Sequence, residues 1–416
     1  MHIDGILSVG RGVFRINAGA LGALIVAAAM ASSSIVFSEP AIADALMLAA
    51  IAGLPLLGLL RIGHVTLFNV ALWCVVVAAG IAGTTMSVTF DTAIKHQIVT
   101  LYLVLGSFVL AGYVAADPEP RARLVLNFYV VACVIATLAA IAGYFALLPG
   151  AFELFTTYGR GRGTFKDPNV YGAAVAPALG YLVWIMLREG RERAIVAAAI
   201  AAVLAIGLLV SFSRGAWISA ALSVAIVVVI GATRARRSSD SNRFAAFATV
   251  GTLGFIAVML GALQIDKVET LLAERASMEQ SYDIGPEGRF GGQRKAVALI
   301  LENPLGIGTH SFRDRHHPEE PHNVYLSMFL NAGWIGGLFY ILSVGVTLAV
   351  GLHHSLRLGA LQGAFVVATA GFAGVAFEGI IIDTDHWRHV FIFMALIWGL
   401  SDARRPLIDA ARRRTD

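Results

Sequence analysis

Long apolar runs separated by short polar links dominate this sequence. Runs of about 17 to 25 apolar residues are long enough to cross a bilayer as helices. Twelve such runs are centred near residues 27, 50, 76, 103, 136, 178, 202, 223, 254, 336, 370 and 394. A 416-residue chain that is 57% hydrophobic and only 14% charged has too much apolar surface for a soluble core. The sequence therefore predicts an all-α, polytopic transmembrane helix bundle.

The first apolar run raises the question of a cleaved signal peptide. It follows Arg11 and Arg15, and it contains Ala29-Met30-Ala31, which imitates a signal-peptidase site. The run continues to Phe37, so it is long enough to span. We therefore expect a first transmembrane helix. The fourth run differs in that its first turns carry polar residues such as His96, which should face water or the bundle interior.

The distribution of Lys and Arg between alternate links predicts the orientation. With a cytoplasmic N-terminus, the inner segments hold eighteen of the 31 basic residues and the short outer links hold six. Cytoplasmic links carry an excess of Lys and Arg, so both termini are expected in the cytoplasm. The same spread of basic residues argues against nucleic-acid binding, despite the net charge of +4. Four polar segments then face the periplasm: 156–169, the link at Arg214, 264–322 and 383–386.

This orientation divides the chain into three parts. Residues 1–263 would hold nine transmembrane helices, residues 264–322 a large periplasmic loop, and residues 323–416 three more helices with a basic cytoplasmic tail that contacts membrane lipid. Within the loop, helical spacing from Val268 to Ala276 predicts one helix. Residues 288–301 predict a second helix, which Asn303-Pro304 would stop. We expect a small helical cap on the outer mouth of the bundle.

A short Ser-Phe-Ser-Arg-Gly link ending at Gly215 separates two apolar runs. Arg214 therefore lies at the outer boundary, where the next helix begins and free backbone N–H groups point the same way as the guanidinium. This arrangement is typical of an anion site. The alternative is an arginine that reaches lipid phosphates.

A glycine-rich segment, 159–169, carries the cations Arg160, Arg162 and Lys166 ahead of a helix that Asn169 is placed to cap. Glycines let a backbone approach a ligand closely, so these cations are expected to bind substrate. The alternative is a mobile turn whose charges lie in solvent.

The end of the long loop holds the candidate catalytic residues. His322 lies between Pro321 and Asn323, which restrain the backbone and cap the following helix, and an imidazole there suits proton transfer. Arg289 opens the predicted loop helix and would suit a phosphate, with Arg294 as a rival; an ordinary solvated helix face is the alternative. Arg294 and Asn323 are further candidates for substrate contact.

Two polar clusters raise the possibility of a metal. The loop carries four histidines (His310, His316, His317 and His322), but their spacing lacks the paired pattern of zinc sites. Segment 383–389 contains an Asp-x-Asp pair, which can hold a divalent cation. A helix cap followed by an interfacial Trp387 is a simpler interpretation of the same segment. Glu378 lies inside the eleventh run, where a charged side chain usually has a functional role. We expect no metal and no cofactor.

Four motifs give the chain a family resemblance: Gly-Thr-Phe-Lys-Asp-Pro-Asn at 163–169, Ser-Phe-Ser-Arg-Gly at 211–215, Glu-Asn-Pro-Leu-Gly-Ile-Gly at 302–308 and Pro-His-Asn-Val-Tyr-Leu at 321–326. With these the chain resembles the O-antigen ligase and O-antigen polymerase superfamily. The resemblance implies a metal-independent membrane glycosyltransferase that takes a glycan from undecaprenyl diphosphate to an acceptor on the periplasmic face. The residues implied to carry activity are Arg214, Arg289 and His322.

Several functions stay open at this point. A ligase would transfer the glycan to lipid A core, whereas a polymerase would transfer it to another lipid-linked glycan, with the same catalytic residues. No pair of carboxylates at a convincing spacing indicates a covalent intermediate, so direct displacement with inversion is expected. Twelve helices also suit a transporter or lipid flippase, and a structural assembly subunit is a third class. The concentration of polar residues on one face favours surface chemistry.

Overall fold

The computed structural model describes residues 17–232, 285 and 287–412, with side chains described to residue 403, and most of these residues are helical. The helices are α1 (Ala18–Ala31), α2 (Ile42–Leu56), α3 (His64–Gly83), α4 (Phe90–Ala116), α5 (Pro118–Tyr144), α6 (Ala151–Phe155), α7 (Pro168–Arg188), α8 (Arg191–Val210), α9 (Arg214–Ala232), α10 (Arg289–Glu302), α11 (Ser311–Arg315), α12 (Val324–Ser355), α13 (Gln362–Glu378) and α14 (Arg388–Arg412). A 3₁₀ turn covers Thr84–Met86, and strands β1 (Thr156–Thr157) and β2 (Arg160–Gly161) pair antiparallel.

Seven helices in the described part of the chain are long and apolar enough to cross a membrane: α3 with its 3₁₀ turn, α4, α5, α7, α8, α9 and α12. Helices α1, α2 and α13 are apolar but shorter. These helices confirm an all-α membrane bundle. The run predicted near residue 254 and the helix predicted from Val268 lie outside the described residues, so the count of twelve spans stays a prediction.

Helix α1 ends at Ala31, short of Phe37, where the first apolar run ends. The hydroxyl of Ser32 donates to the carbonyl of Ala28 at 2.8 Å, and that of Ser33 donates to the carbonyl of Met30 at 2.7 Å. Serine hydroxyls compete with main-chain N–H groups for helix carbonyls. The length of an apolar run does not include this competition, so it predicted a helix that continues past Ala31.

Helix α7 runs through the centre of the bundle, and most of its residues are buried. Its glycines allow α9 to approach closely: a Cβ on Gly172 would lie 2.6 Å from the Cβ of Ala216, and one on Gly180 would lie 2.4 Å from Ser223 Oγ. A larger residue at either position would push the helices apart. This packing fixes α9, and therefore Arg214 at its first residue, against the core.

The basic links meet at one end of the bundle. Arg121 donates to the carbonyl of Leu59 at 2.7 Å and so joins the α4–α5 link to the α2–α3 link. Asp402, in the second half of α14, accepts from the main-chain N–H of Gly63 at 3.0 Å and occupies the positive end of α3. His96 lies near the start of α4, at the opposite end, where the polar links gather. This division agrees with the charge distribution along the sequence.

Helix α12 is broken at Gly333, and the 302–308 turn occupies the break. Gly333 has φ +66° and ψ −172°, so the helical hydrogen bonds stop there. The main-chain N–H of Trp334 donates instead to the carbonyl of Pro304 at 2.8 Å, and the carbonyl of Leu330 accepts from the N–H of Ile307 at 2.8 Å. The freed backbone groups of the helix are thus satisfied by the turn.

The glycines at the junction between the 302–308 turn and α12 are required because a side chain would clash there, as well as by their backbone conformation. A Cβ on Gly333 would lie 2.7 Å from the carbonyl oxygen of Pro304. One on Gly306, whose φ is +83°, would lie 2.7 Å from the carbonyl oxygen of Leu330. The motif therefore attaches the loop to α12 at a fixed position. His322, which precedes α12, is held in the same unit.

Candidate active site

Helix α10 confirms the predicted second loop helix. It begins at Arg289 after the N-cap Gly288 and ends at Glu302, with Asn303 as its C-cap. Ala296 and Ile300 on its buried face pack against Phe312 and Leu330. Apolar contact with α11 and α12 therefore holds α10 on the end of the bundle, and the face that carries Arg289 points toward the start of α12.

His322 has a strained and well-anchored backbone. Its φ is +50°, in the left-handed region that costs a non-glycine residue about 1–3 kcal/mol. Its carbonyl accepts from Gln293 Nε2 at 3.4 Å. Its imidazole Nε2 lies 3.1 Å from Glu319 Oε2. The main chain of His322 thus lies where α10 meets the start of α12, and its imidazole pairs with the exposed Glu319 carboxylate.

Asn323 is the N-cap of α12, as predicted. Its Oδ1 accepts from the main-chain N–H of Tyr325 at 3.1 Å and of Leu326 at 3.2 Å. These bonds satisfy two of the free donors at the helix start. They also explain why the strained residue precedes the helix, since the cap sets the direction in which the chain enters.

The two arginines of α10 have different environments. Arg289 is half-buried, its Nε is buried, and it lies one turn before Gln293, which contacts His322. Residues four apart share a helix face. Arg294 is exposed, and its neighbour Lys295 donates to the carbonyl of His316 away from that face. Arg289 is therefore the α10 arginine on the side of His322.

Arg214 is the first residue of α9, as predicted, and follows Phe212, whose φ is +47°. A Cβ on the next residue, Gly215, would lie 3.1 Å from Glu378 Oε1 and 2.8 Å from Ile381 Cδ1. The start of α9 thus packs on the end of α13. The start of α12 packs there too.

The main-chain N–H of Val324 donates to the carbonyl of Gly379 at 2.8 Å, which joins the start of α12 to the end of α13. Val324 is adjacent in sequence to Asn323 and two residues from His322. The starts of α9 and α12 therefore flank the same segment, 378–383, which brings the elements that carry Arg214 and His322 together.

The glycine-rich cations have three different roles in the structure. Arg160 is buried, and it donates from Nε to the carbonyl of Ser211 at 2.8 Å and from Nη2 to Asn169 Oδ1 at 2.7 Å. It thus ties β2 to the link before Arg214. Arg162 donates to nearby main-chain carbonyls, with the closest, that of Leu154, at 3.0 Å.

The cap predicted at Asn169 is wrong. Helix α7 begins at Pro168, and Asp167 is its N-cap, with its Oδ1 accepting from the N–H of Asn169 at 2.7 Å. Proline suits the first helical position because it lacks the N–H that would be left unbonded there. The N-cap therefore lies two residues before the predicted one, and the Asn169 side chain accepts from Arg160 instead.

Lys166 faces a cavity at the polar end of the bundle. Its Nζ lies 3.1 Å from Glu39 Oε2. The cavity measures about 230 Å³, and its lining includes both of these residues together with His386 and Arg388. A cavity with cationic side chains and an opening suits an anionic or polyhydroxylated ligand. Of the three glycine-rich cations, Lys166 is the one that lines this cavity.

Residues 383–389 do more than cap a helix. Asp383 accepts from Ser327 Oγ at 2.5 Å, Asp385 Oδ2 lies 3.0 Å from His96 Nε2, and Trp387 is buried. His386 lies 2.9 Å from Thr100 Oγ1 through Nε2. The pairing of His96 with this segment was not predicted, although a histidine in the first turns of an apolar run is expected to face water or the bundle interior.

The pKa values of several side chains in segment 383–389 are strongly shifted. Burial, with the adjacent charge of Asp385, raises the pKa of Asp383 to about 7. Burial would also raise the pKa of Asp385, but the imidazoles of His386 and His96 outweigh it and hold that pKa below the usual range. Burial lowers the pKa of His386 to about 4. Such shifts concentrate at functional sites.

The four loop histidines have separate partners. A hydrogen bond between His310 Nδ1 and Glu320 Oε1, at 2.9 Å, raises the pKa of His310. His317 stacks on Phe312 with ring centroids 5.6 Å apart. His316 gives its carbonyl to Lys295, and His322 pairs with Glu319. The loop therefore uses its histidines individually.

A family model described as O-antigen ligase matches residues 199–341. The matched range contains Arg214, Arg289 and His322, whereas His96 and Asp385 lie outside it. No curated protein matches the chain significantly. The resemblance to the O-antigen ligase and polymerase superfamily is thereby confirmed, and it is carried by residues 199–341 of this multi-pass membrane protein, which are similar to the O-antigen ligase family.

Proposed function

We propose that this protein transfers a glycan from undecaprenyl diphosphate to an acceptor hydroxyl at the polar end of the bundle, which faces the periplasm of a bacterial inner membrane. His322 is the general base, and Arg214 and Arg289 bind the diphosphate. The acceptor is lipid A core in the ligase form of this proposal. The family match supports the general class of reaction.

The observation that carries the proposal is the convergence of three separate elements. Gln293 of α10 contacts the main chain of His322, the start of α12 bonds to Gly379, and the start of α9 packs on Glu378. Arg214, Arg289 and His322 therefore border one region although more than a hundred residues separate the first from the last. Such a convergence is what a transfer reaction between two substrates requires.

In the proposed step, the acceptor oxygen forms a bond to the anomeric carbon while the bond from that carbon to the diphosphate oxygen breaks. The hydroxyl proton passes to His322, and undecaprenyl diphosphate leaves with the electron pair. Displacement from the opposite side inverts the anomeric centre. The imidazole tautomer protonated at Nε2 donates to Glu319, which leaves the Nδ1 lone pair for the proton.

The arginines would stabilise the departing diphosphate. Charge develops on its oxygens as the glycosidic bond breaks, and a guanidinium forms two parallel hydrogen bonds to a phosphate. Arg214 adds the positive end of α9 to its own charge. These residues supply the neutralisation that the leaving group needs.

Further residues are proposed to bind substrate: Arg160, Arg162, Lys166, Arg294 and Asn323. Lys166 contributes to the cavity beside His386 and Arg388, so it would bind the glycan or its phosphate directly. Arg160 would act through the Ser211 carbonyl, by holding the link before Arg214. Asn323 would act by capping the helix behind His322.

A glycan profile of a strain that lacks this protein would identify the acceptor. Loss of long chains from lipopolysaccharide, with intact lipid-linked polymer, is expected for a ligase that uses lipid A core. Accumulation of single repeats would instead identify a repeat-unit polymerase. In reconstituted vesicles, movement of the lipid-linked glycan across the bilayer without formation of a new glycosidic bond would replace the proposal with a flippase.

A further inference from the structure

Three side chains with metal-ligand chemistry meet beside the proposed active site. Asp385 Oδ2 lies 3.0 Å from His96 Nε2 and 3.9 Å from His386 Nε2. One ligand atom from each residue lies within 4.8 Å of the other two. Ligands about 2.0–2.2 Å from a tetrahedral Zn²⁺ are themselves roughly 3.4 Å apart. The observed separations are therefore close to those that a single ion requires.

The three ligands are held by rigid elements on both sides. His96 projects from α4, and Asp385 and His386 lie in the short link between α13 and α14. Arg388 fixes the far end of that link, because its guanidinium bonds to both carboxylate oxygens of Asp44, at 2.7 and 2.8 Å. Ser327 fixes its near end through Asp383. Ligands held in this way bind an ion without a large ordering cost.

We propose that His96, Asp385 and His386 bind a divalent transition-metal ion of the Zn²⁺ class. Two imidazole nitrogens and one carboxylate oxygen favour Zn²⁺ or Co²⁺ over Mg²⁺ and Ca²⁺, which prefer all-oxygen sites. The ion would replace the hydrogen bond between His386 Nε2 and Thr100 Oγ1. Three protein ligands leave a fourth position for water.

The ion would hold the α13–α14 link against α4. That link carries Asp383, which accepts from Ser327 of α12 at 2.5 Å, so the metal site and the helix that follows the proposed base share one support. The ion takes no part in the proposed transfer step, in which the arginines neutralise charge and His322 accepts the proton. All three ligands lie outside the residues that match the family model.

The test is metal binding by the full-length protein, purified in lipid nanodiscs through a tag without histidine. After chelation and removal of the chelator, Co²⁺ is titrated while its visible ligand-field absorption is recorded, and Zn²⁺ is then added as a competitor. We expect a stoichiometric Co²⁺ spectrum that Zn²⁺ abolishes. Zn²⁺ should also raise the Tm, because it binds only the folded state, whereas Mg²⁺ should change neither readout.

Three ligand variants, His96→Gln, Asp385→Asn and His386→Gln, should each weaken Zn²⁺ affinity by at least about tenfold. The matched control is His353→Gln, which removes an exposed histidine from the last turn of α12 and should bind as the wild type does. Size-exclusion chromatography identifies the variants that still fold.

Two results would overturn the proposal. One is a wild-type protein that gives no Co²⁺ spectrum and no Zn²⁺-dependent rise in Tm, a measurement that does not depend on any variant. The other is a folded Asp385→Asn protein that binds Zn²⁺ as tightly as the wild type. Either result would leave His96, Asp385 and His386 as a hydrogen-bonded cluster.

Discussion

Trp334 donates its main-chain N–H to the carbonyl oxygen of Pro304 at 2.8 Å, across the break in α12 at Gly333. This bond attaches the Glu-Asn-Pro-Leu-Gly-Ile-Gly turn to the helix that follows the histidine motif. The turn replaces the missing helical partners, and in doing so it fixes the distance from α10 to α12. His322 and Arg289 are carried by the two elements that this junction joins.

Gly333→Ala tests the junction. The new Cβ would meet the Pro304 carbonyl at 2.7 Å in a conformation that alanine rarely adopts, so we expect a loss of about 1–3 kcal/mol in stability. Gly345→Ala is the matched control, because it lies in the same helix with open space around it and should be neutral or stabilising by up to about 1 kcal/mol. Thermal unfolding in detergent measures both; equal Tm values for the two variants would contradict the assigned role of the junction.

His322→Ala tests the proposed base. Loss of a positioned base typically costs about 10²- to 10⁴-fold in rate, so transfer from a lipid-diphosphate donor should fall by that factor while donor binding persists. His316→Ala is the control, since His316 belongs to the same loop and contributes only its carbonyl, to Lys295. Normal transfer by His322→Ala, with loss in another histidine variant, would move the base assignment to that histidine.

Arg214→Lys keeps the charge at the start of α9 but removes the planar pair of donors. A charged hydrogen bond is worth about 1.5–3 kcal/mol, so transfer should fall about ten- to a hundredfold at normal protein abundance. Arg123→Lys provides the comparison, because Arg123 pairs with surface carboxylates, those of Glu119 and Glu189, and has no proposed role in transfer. Unchanged activity in Arg214→Lys would return this arginine to a lipid-facing role.

Arg289→Ala and Arg294→Ala separate the two arginines of α10. Removal of a group that stabilises developing charge typically costs about 10²- to 10³-fold, and we expect such a loss for Arg289. Arg294 is exposed on another face and is proposed only to contact substrate, so its variant should lose less activity than the Arg289 variant. Initial rates with a lipid-linked donor decide the matter, and the reverse ranking would assign the diphosphate to Arg294.

Reporter fusions test the orientation. Fusions after Arg193 and Arg237 should report a cytoplasmic location, and a fusion near Ser281 should report a periplasmic one, since Lys and Arg concentrate on the inner side. A cytoplasmic signal at Ser281 would remove the basis for the proposed transfer, because the large loop would then face the wrong compartment.

Features set by local chemistry could be predicted from the sequence. The high proportion of apolar residues predicts a membrane bundle. The bounds of α10 follow from Gly288, which is its N-cap, and from Asn303-Pro304, where it ends. Asn323 was predicted as a cap and is one. These predictions succeed because each depends on a few neighbouring residues, whose conformational preferences act before any tertiary contact forms.

The tertiary structure alone decided which distant residues meet. His96 and Asp385 are separated by most of the chain, and no periodicity links them, yet they lie 3.0 Å apart. Arg289 was preferred with Arg294 as a rival, and the packing of Ala296 against Phe312 and Leu330 decided which face of α10 turns inward. Long-range contacts of this kind depend on how helices pack against each other, a property that a local sequence pattern does not contain.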